Sequence, residues 1–294
     1  MYKDFASLLA QAAEAKAPLW RVIAEDEMRL SELSEHELLM RLDTRLSVME
    51  QSAKRALEGP LETVGGLISG VACRHARYAE NGKALTGRLA NRVMAYALSS
   101  SEVNASMGCI CAAPTAGACG ILPAVLFGLR EEYDLSRGEL QLALLTASGV
   151  GAVITKNATV SGAEGGCQAE CGVAAAMAAS AAVFLVNGSN DACIHASAFA
   201  LMNAMGLVCD PIAGLVQVPC AQRNASQAVN ALVSADLALA GMRSVIPPDE
   251  VVEAMLRVGH MLPDALKETA QGGIAATPTG RRIAKEIFPK ENHE

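Results

Sequence analysis

Residues 171–190, CGVAAAMAASAAVFLVNGSN, run for 20 positions without a charged side chain. About 20 apolar residues would span a bilayer. This stretch is rich in alanine and broken by glycine, serine and asparagine, so it predicts a helix buried inside a protein rather than a membrane span. Around it, residues 141–220 hold only five charges, at Lys156, Glu164, Glu170, Asp191 and Asp210. A segment so poor in charge has to be mostly buried. Each charge within it is costly unless paired or used, which makes each a candidate for a site.

The rest of the chain extends the helical reading. Aromatic residues make up only 3% of 294 residues, and alanine, glycine, leucine and valine supply the apolar mass. That balance favours closely packed helices over the β-branched and aromatic strands of a sheet. Ser136 and Glu139 form a capping-box pattern ahead of Leu140–Thr155, and Gly120 with Pro123 suits the first turn of another helix. Pro248-Asp249-Glu250 opens an amphipathic helix over 247–266. Residues 1–58 carry 19 of the 55 charges. Leu8, Leu9 and Ala12, then Leu38, Leu42, Leu46 and Met49, recur there at helical spacing. Ser34 and Glu37 cap the second of these helices, and Gly59-Pro60 stops it. With no strong strand pairs, the expected fold is all-α. A single helical domain over 59–294, with glycine-rich loops, is expected behind an amphipathic helical layer over 1–58.

A net charge of −7 argues against a nucleic-acid surface. The start, MYKDFA, lacks the basic and apolar regions of a secretory signal, so a cytoplasmic protein is expected. In that compartment nine cysteines are free thiols, catalytic thiolates or metal ligands rather than disulfides.

Two loops concentrate chemistry. Ala113 to Gly120, APTAGACG, is a proline–glycine turn running into a helix, where free backbone N–H groups suit a carboxylate or phosphate. Lys156 to Gln168, KNATVSGAEGGCQ, packs polar groups, glycines and a cysteine between apolar helices. Cys167, Cys209 and Cys220 each adjoin residues that break regular structure, which suits thiolates presented at bends to one metal centre. Cys109, Cys111 and Cys119 are a rival set, and Cys171 would share a helix face with Cys167. There is no paired C-x-x-C or His-x-x-x-His partner, so spacing alone does not choose between these groups. Cys73 and Cys193 read as small core residues. None of the five histidines stands in a catalytic motif: His36 and His293 lie among charges, His75 suits a solvated face, His195 a satisfied core position and His260 a helix end.

Three further runs carry a resemblance: SGAEGGCQAECG over 161–172, GLVCDPIAGLVQVPCAQRN over 206–224 and AATPTGRR over 275–282. With AAPTAGACG over 112–120, they make residues 60–285 resemble the α subunit of bacterial iron–sulfur-dependent L-serine dehydratase. The resemblance implies a [4Fe–4S] cluster held by Cys167, Cys209 and Cys220, spaced 42 and 11 residues apart. Cys171 then packs beside the cluster, and one iron without a protein ligand can act as a Lewis acid on the substrate hydroxyl. It implies β-elimination of L-serine to pyruvate and ammonia, a step of amino-acid catabolism that feeds gluconeogenesis. Thr115 with the amides of Ala116 and Gly117 is expected to grip the substrate carboxylate, and Lys156, Asn157 and Ser161 to contact substrate or cluster sulfides. Members of this family also use a β subunit or fused β domain with a Ser-His-Thr stretch. That stretch is missing from these residues, so the general base is expected on a separate β subunit in a hetero-oligomer. The alternatives are a related iron–sulfur lyase acting on L-cysteine or L-threonine, and a non-catalytic metal-binding scaffold.

Overall fold

In a computed structural model of the chain, residues 2–82 and 84–289 are described. His293 lies outside the described residues. Among them the chain forms thirteen α-helices: α1 (Phe5–Ala15), α2 (Leu19–Ser31), α3 (Glu35–Arg55), α4 (Val71–Glu80), α5 (Gly87–Ala105), α6 (Ile121–Tyr133), α7 (Arg137–Asn157), α8 (Gly162–Gly165), α9 (Val173–Leu185), α10 (Asn190–Ala204), α11 (Cys220–Leu239), α12 (Pro248–Met261) and α13 (Pro278–Ile287). No strand occurs among the described residues, and one isolated parallel bridge joins Cys209 to Lys267. The fold is all-α.

The centre is the stretch that opened the sequence reading. Every residue of α9 except Phe184 is buried, and α7, α10, α11 and α6 pack around it. Alanines at most of its positions let these neighbours come close. Gly151 on α7 shows how close: a Cβ there would stand 2.9 Å from Met177 Sδ on α9. By length and apolarity alone, Arg137–Asn157 and Gln168–Leu185 could each cross a membrane, but 61% and 89% of their most apolar windows are buried within the fold. The apolar sides of the first three helices, including Phe5, Leu8, Leu38, Leu42, Leu46 and Met49, enter the same core. Leu9, expected on that side, is only partly buried.

Local caps formed where the sequence marked them. Ser34 with Glu37 and Ser136 with Glu139 make both halves of a capping box, and Pro248 is the first residue of α12. Other helix starts are capped from far away in the chain. Helix α2 begins after Pro18, which has no capping side chain, and Asn190 Oδ1 accepts from Leu19 N at 3.0 Å. Helix α6 begins after Gly120, whose own N–H donates to Asn224 Oδ1 at 2.9 Å. Helix α4 begins after Gly70, and the carboxylate of the fully buried Glu102 on α5 accepts from Leu61 N, Gly70 N and Ala72 N at 2.8, 2.6 and 3.2 Å. Each such contact satisfies amides that a helix start leaves unpaired and ties one helix to another.

The segment read as a loop over 156–168 differs from expectation. Helix α7 runs on to Asn157, whose side-chain amide donates to Val153 O and Lys3 O, both at 2.8 Å. An extended stretch, the single turn of α8 and Cys167 follow, and then a five-residue π turn, Gln168–Gly172, leads directly into α9. Wide turns of this kind shift the register of side chains along a helix and are frequent at functional sites.

Candidate active site

Three of the bends expected to present thiols meet at the end of the bundle. Cys167 stands at the start of the π turn, Cys209 at the bridge to Lys267, and Cys220 is the first residue of α11. Cys167 and Cys209 are buried and Cys220 half-buried, and all three are free thiols. Each lies within the electrostatic reach of the others: Cys167 and Cys220 both act on Cys209, and Cys167 acts on Cys220. The rival set is linked along its own loop, Cys109 acting on Cys111 and Cys111 on Cys119, but it differs in burial. Cys109 is exposed, Cys111 partly exposed, and Cys119 is buried with its thiol near Ser100 O.

Polar side chains lock the three segments together. Gln168 donates from Nε2 to Met255 O and accepts Gly206 N, while its own N–H reaches Leu207 O. That joins the Cys167 turn to the strand-like run before Cys209 and to α12. Arg223, one turn into α11, donates to Val208 O and makes a 2.8 Å ion pair with Asp210, which is 3% exposed. The second oxygen of Asp210 accepts Ile274 N at 2.8 Å. Asn224 completes the frame: Nδ2 donates to Gly117 O at 2.7 Å and to Cys220 O at 2.9 Å while Oδ1 holds Gly120 N. The 113–120 loop is thereby fixed to the helix that carries Cys220. Residues 264–268 close over the site, with Cys209 N donating to Leu266 O and Glu268 N to Cys209 O, both at 2.8 Å.

The thiols are not equivalent. The Cys171 thiol donates to Cys167 and, with burial opposing it and Arg223 assisting, holds the Cys167 pKa below the ordinary thiol value. Burial pushes Cys220 up to about 12 and raises Cys209 as well, and the negative groups Cys167 and Glu170 add to both. Cys171 is raised strongly, chiefly by that bond to Cys167 and by burial. Burial works against the Arg223 charge, and Cys167 and Asp210 more than offset it. Cys167 is therefore the thiol most ready to lose its proton, and a bound cation is what would bring the other two to thiolates.

Among the described residues, no group of three or more histidine, cysteine, aspartate or glutamate side chains is gathered closely enough to hold a single metal ion. One tetrahedral ion needs its sulfurs about 3.8 Å apart, given Zn–S bonds near 2.3 Å. A cubane takes each thiolate at a different iron, so its ligands stand further apart. Three soft thiols from separate segments, backed by a guanidinium that offsets negative charge, are donors of the chemical kind an iron–sulfur cluster takes.

The expected substrate residues divide. Thr115 precedes a single turn, Ala116–Ala118, and its hydroxyl is buried without a hydrogen-bond partner. Ala118 N and Cys119 N are spent within that turn, which leaves Ala116 N and Gly117 N at its open start. Ser161 opens α8 beside Gly162, where a Cβ would lie 3.4 Å from Cys209 Sγ, so its turn adjoins the thiols. Lys156 and Asn157 are exposed and engage the amino-terminal region instead, Lys156 near Asp4 and Asn157 on Lys3 O.

Glu170 was marked by the sequence only as a charge in an uncharged stretch, and it proves to sit between the 115–117 loop and the thiols. Burial raises its pKa, the Thr115 hydroxyl works against that rise, and Glu268 adds to it. The described histidines are elsewhere engaged or exposed. His195 Nδ1 accepts Ser244 N, His75 is half-buried rather than solvated, with burial lowering its pKa, and His36 and His260 are exposed. The two large surface hollows hold no comparable group. One of about 650 Å³ is lined by Glu50 and Lys54, which pair with each other, and one of about 740 Å³ is an apolar groove beside Leu89, Tyr133 and Leu232.

Residues 14–275 match the sequence model of a family described as serine dehydratase alpha chain. The chain is 49% identical over 270 residues to an L-serine dehydratase alpha chain of Peptoniphilus asaccharolyticus, covering 92% of each. It is 44% identical over 288 residues to a probable L-serine dehydratase alpha chain of Bacillus subtilis, covering 98% of this chain and 96% of that one. It is also 34% identical over 284 residues to L-serine dehydratase 2 of Escherichia coli, where the match spans 93% of this chain and 61% of the longer relative.

Proposed function

Because the chain belongs to the serine dehydratase alpha chain family, we propose that it is the α subunit of an iron–sulfur L-serine dehydratase, an ammonia-lyase that forms pyruvate and ammonia without pyridoxal phosphate. The observation that carries this reading is the meeting of Cys167, Cys209 and Cys220 beside a loop with a buried, unpaired hydroxyl at Thr115. A [4Fe–4S] cluster held by those thiols would supply a Lewis-acidic iron for the leaving hydroxyl.

The chain's own groups do the rest of the binding. Thr115 Oγ1 and the amides of Ala116 and Gly117 hold the substrate carboxylate, in a loop that Asn224 keeps in place. Ser161, next to Gly162 and so beside Cys209 and Glu170, contacts substrate or sulfide. Arg223, held by Asp210, offsets the negative charge of the thiolates. Removal of the Cα proton and loss of the β-hydroxyl leave aminoacrylate, which tautomerises to an imine. Water then hydrolyses the imine to pyruvate and ammonia. No described histidine stands at the site, and the base comes from a separate β subunit, giving a hetero-oligomer. We place the protein in the cytoplasm, where its free thiols stay reduced.

Side-by-side assays of the anaerobically prepared α–β complex on L-serine, L-threonine and L-cysteine test the reading. The highest kcat/KM is expected on L-serine, with pyruvate and ammonia formed in equal amounts. Preference for either other substrate, or no elimination, would overturn it. Thr115→Ala is expected to raise KM for L-serine on the order of tenfold, the loss of a hydrogen bond to a charged group. An unchanged KM and kcat would remove Thr115 from the site.

A further inference from the structure

An amino acid presents two charges at its Cα, and the 115–117 loop answers only the carboxylate. The ammonium needs an acceptor close to that loop and on the side facing the thiols, because the hydroxyl has to reach them. Glu170 occupies that place. A Cβ at Gly117 would stand 3.1 Å from Glu170 Oε1, and a Cβ at Gly162 would stand 2.6 Å from Glu170 Oε2 and 3.4 Å from Cys209 Sγ. The carboxylate therefore lies between the carboxylate-binding loop and a cluster thiol, at positions where both flanking loops lack side chains. Any side chain at Gly162 would displace it.

No ion pair with lysine, arginine or histidine forms at Glu170 among the described residues. Arg223, the guanidinium that acts on Cys167, is committed to Asp210 and Val208 O. The other charge that acts on Glu170 is Glu268, which is also acidic. A half-buried carboxylate without a counter-charge is unfavourable in the free protein and becomes favourable when a ligand brings a positive charge. The π turn is what aims it: Cys167 stands just before the turn and Glu170 is its third residue, within electrostatic reach of Cys167.

Resting on the serine dehydratase reading, we infer that Glu170 is the residue that receives the α-ammonium of the substrate and so selects amino acids over hydroxy acids. Thr115 and Glu170 then bracket the substrate's Cα, one on each charged group. The Thr115 hydroxyl acts on Glu170 and sits where it can turn to the incoming carboxylate.

The test uses the reconstituted α–β complex and three ligands: L-serine, L-alanine and 3-hydroxypropionate. L-alanine carries both charges and no leaving hydroxyl, and 3-hydroxypropionate lacks the ammonium. Calorimetry on Glu170→Gln should show L-alanine binding weakened on the order of 100-fold, as for loss of one partner of a desolvated charge pair. KM for L-serine should rise by a similar factor. Inhibition by 3-hydroxypropionate should stay within threefold, which also shows that the variant's site is folded. Glu170→Asp, which keeps the charge, should recover part of the L-alanine affinity. Unchanged L-alanine binding in Glu170→Gln would overturn the inference while serine turnover by the unaltered complex upholds the reading beneath it. A fall in kcat alone would also overturn it, by assigning Glu170 to the chemical step. Absence of serine turnover in the unaltered complex would remove the reading and the inference together.

Discussion

Serine substitution of Cys167, Cys209 or Cys220 will each lower serine turnover by on the order of 1000-fold or more, whereas serine at Cys171 or Cys73 will not. The estimate follows from the several kcal/mol that Lewis-acid stabilisation of a leaving group supplies, at tenfold in rate for each 1.36 kcal/mol. The three residues come from separate segments that Gln168, Arg223 and Asn224 tie together. Losing one thiol removes one of the three assigned donors. Cys171 is buried beside Cys167 and donates to it. Its loss shifts the readiness of Cys167 to ionise without removing a ligand, so Cys171→Ser should keep its iron and most of its activity. Cys73 belongs to α4, with its thiol on Gly70 O, away from the group. Iron content and the visible absorption of each reconstituted variant, read beside pyruvate formation, check the prediction. A Cys171→Ser variant as iron-poor as Cys167→Ser would make Cys171 a ligand and change the assigned set.

Glu102→Ala is expected to be the most destabilising single change outside the site. Its carboxylate is fully buried and accepts three backbone N–H groups, two of them at the start of α4. A helix start is the positive end of the helix dipole, so a carboxylate there is favourable without any basic partner. Truncation leaves three amides unpaired, those of Gly70 and Ala72 in a buried region, at about 1–3 kcal/mol for each buried donor before relaxation. With part of that recovered by rearrangement, the loss is about 3–5 kcal/mol, seen as a lower denaturation midpoint with little change in slope. Glu102→Gln keeps an acceptor oxygen and should fall between the two. A loss below about 1 kcal/mol for the alanine variant would mean that water or another group takes over the α4 start.

These two cases also show where sequence reading succeeds and stops. Ser34, Glu37, Ser136, Glu139 and Pro248 marked helix starts because both partners of each cap lie within one turn of each other. The start of α2 carried no such signal, since its cap is Asn190, 171 residues away. Glu102 sits in an unremarkable Ser-Ser-Ser-Glu run, and nothing local announces that Gly70, a residue without a side chain, needs it. The central helix was legible because its alanines and missing charges are properties of one continuous segment.

The site divides in the same way. The bends around Cys167, Cys209 and Cys220 and the loop at Thr115 are local features. The work of Gln168, Arg223, Asn224 and Glu170 depends on which segments the topology brings together. Asp210 and Glu170 did stand out as charges in a stretch that had to be buried. One proved to be the partner of Arg223 and the other to make no ion pair among the described residues. Lys156 and Asn157 went the other way, because α7 extends through them and turns both toward the amino-terminal helix.

The central claim is that three cysteines of this chain hold a cluster that works only with a β subunit. Its most direct test is anaerobic reconstitution of the chain with iron and sulfide, with and without a candidate β subunit, followed by iron analysis and pyruvate formation from L-serine. The account predicts close to four irons and four sulfides in either preparation, with turnover only when the partner is present. One zinc in place of iron, and no pyruvate with the partner added, would contradict it and leave the three cysteines a structural role.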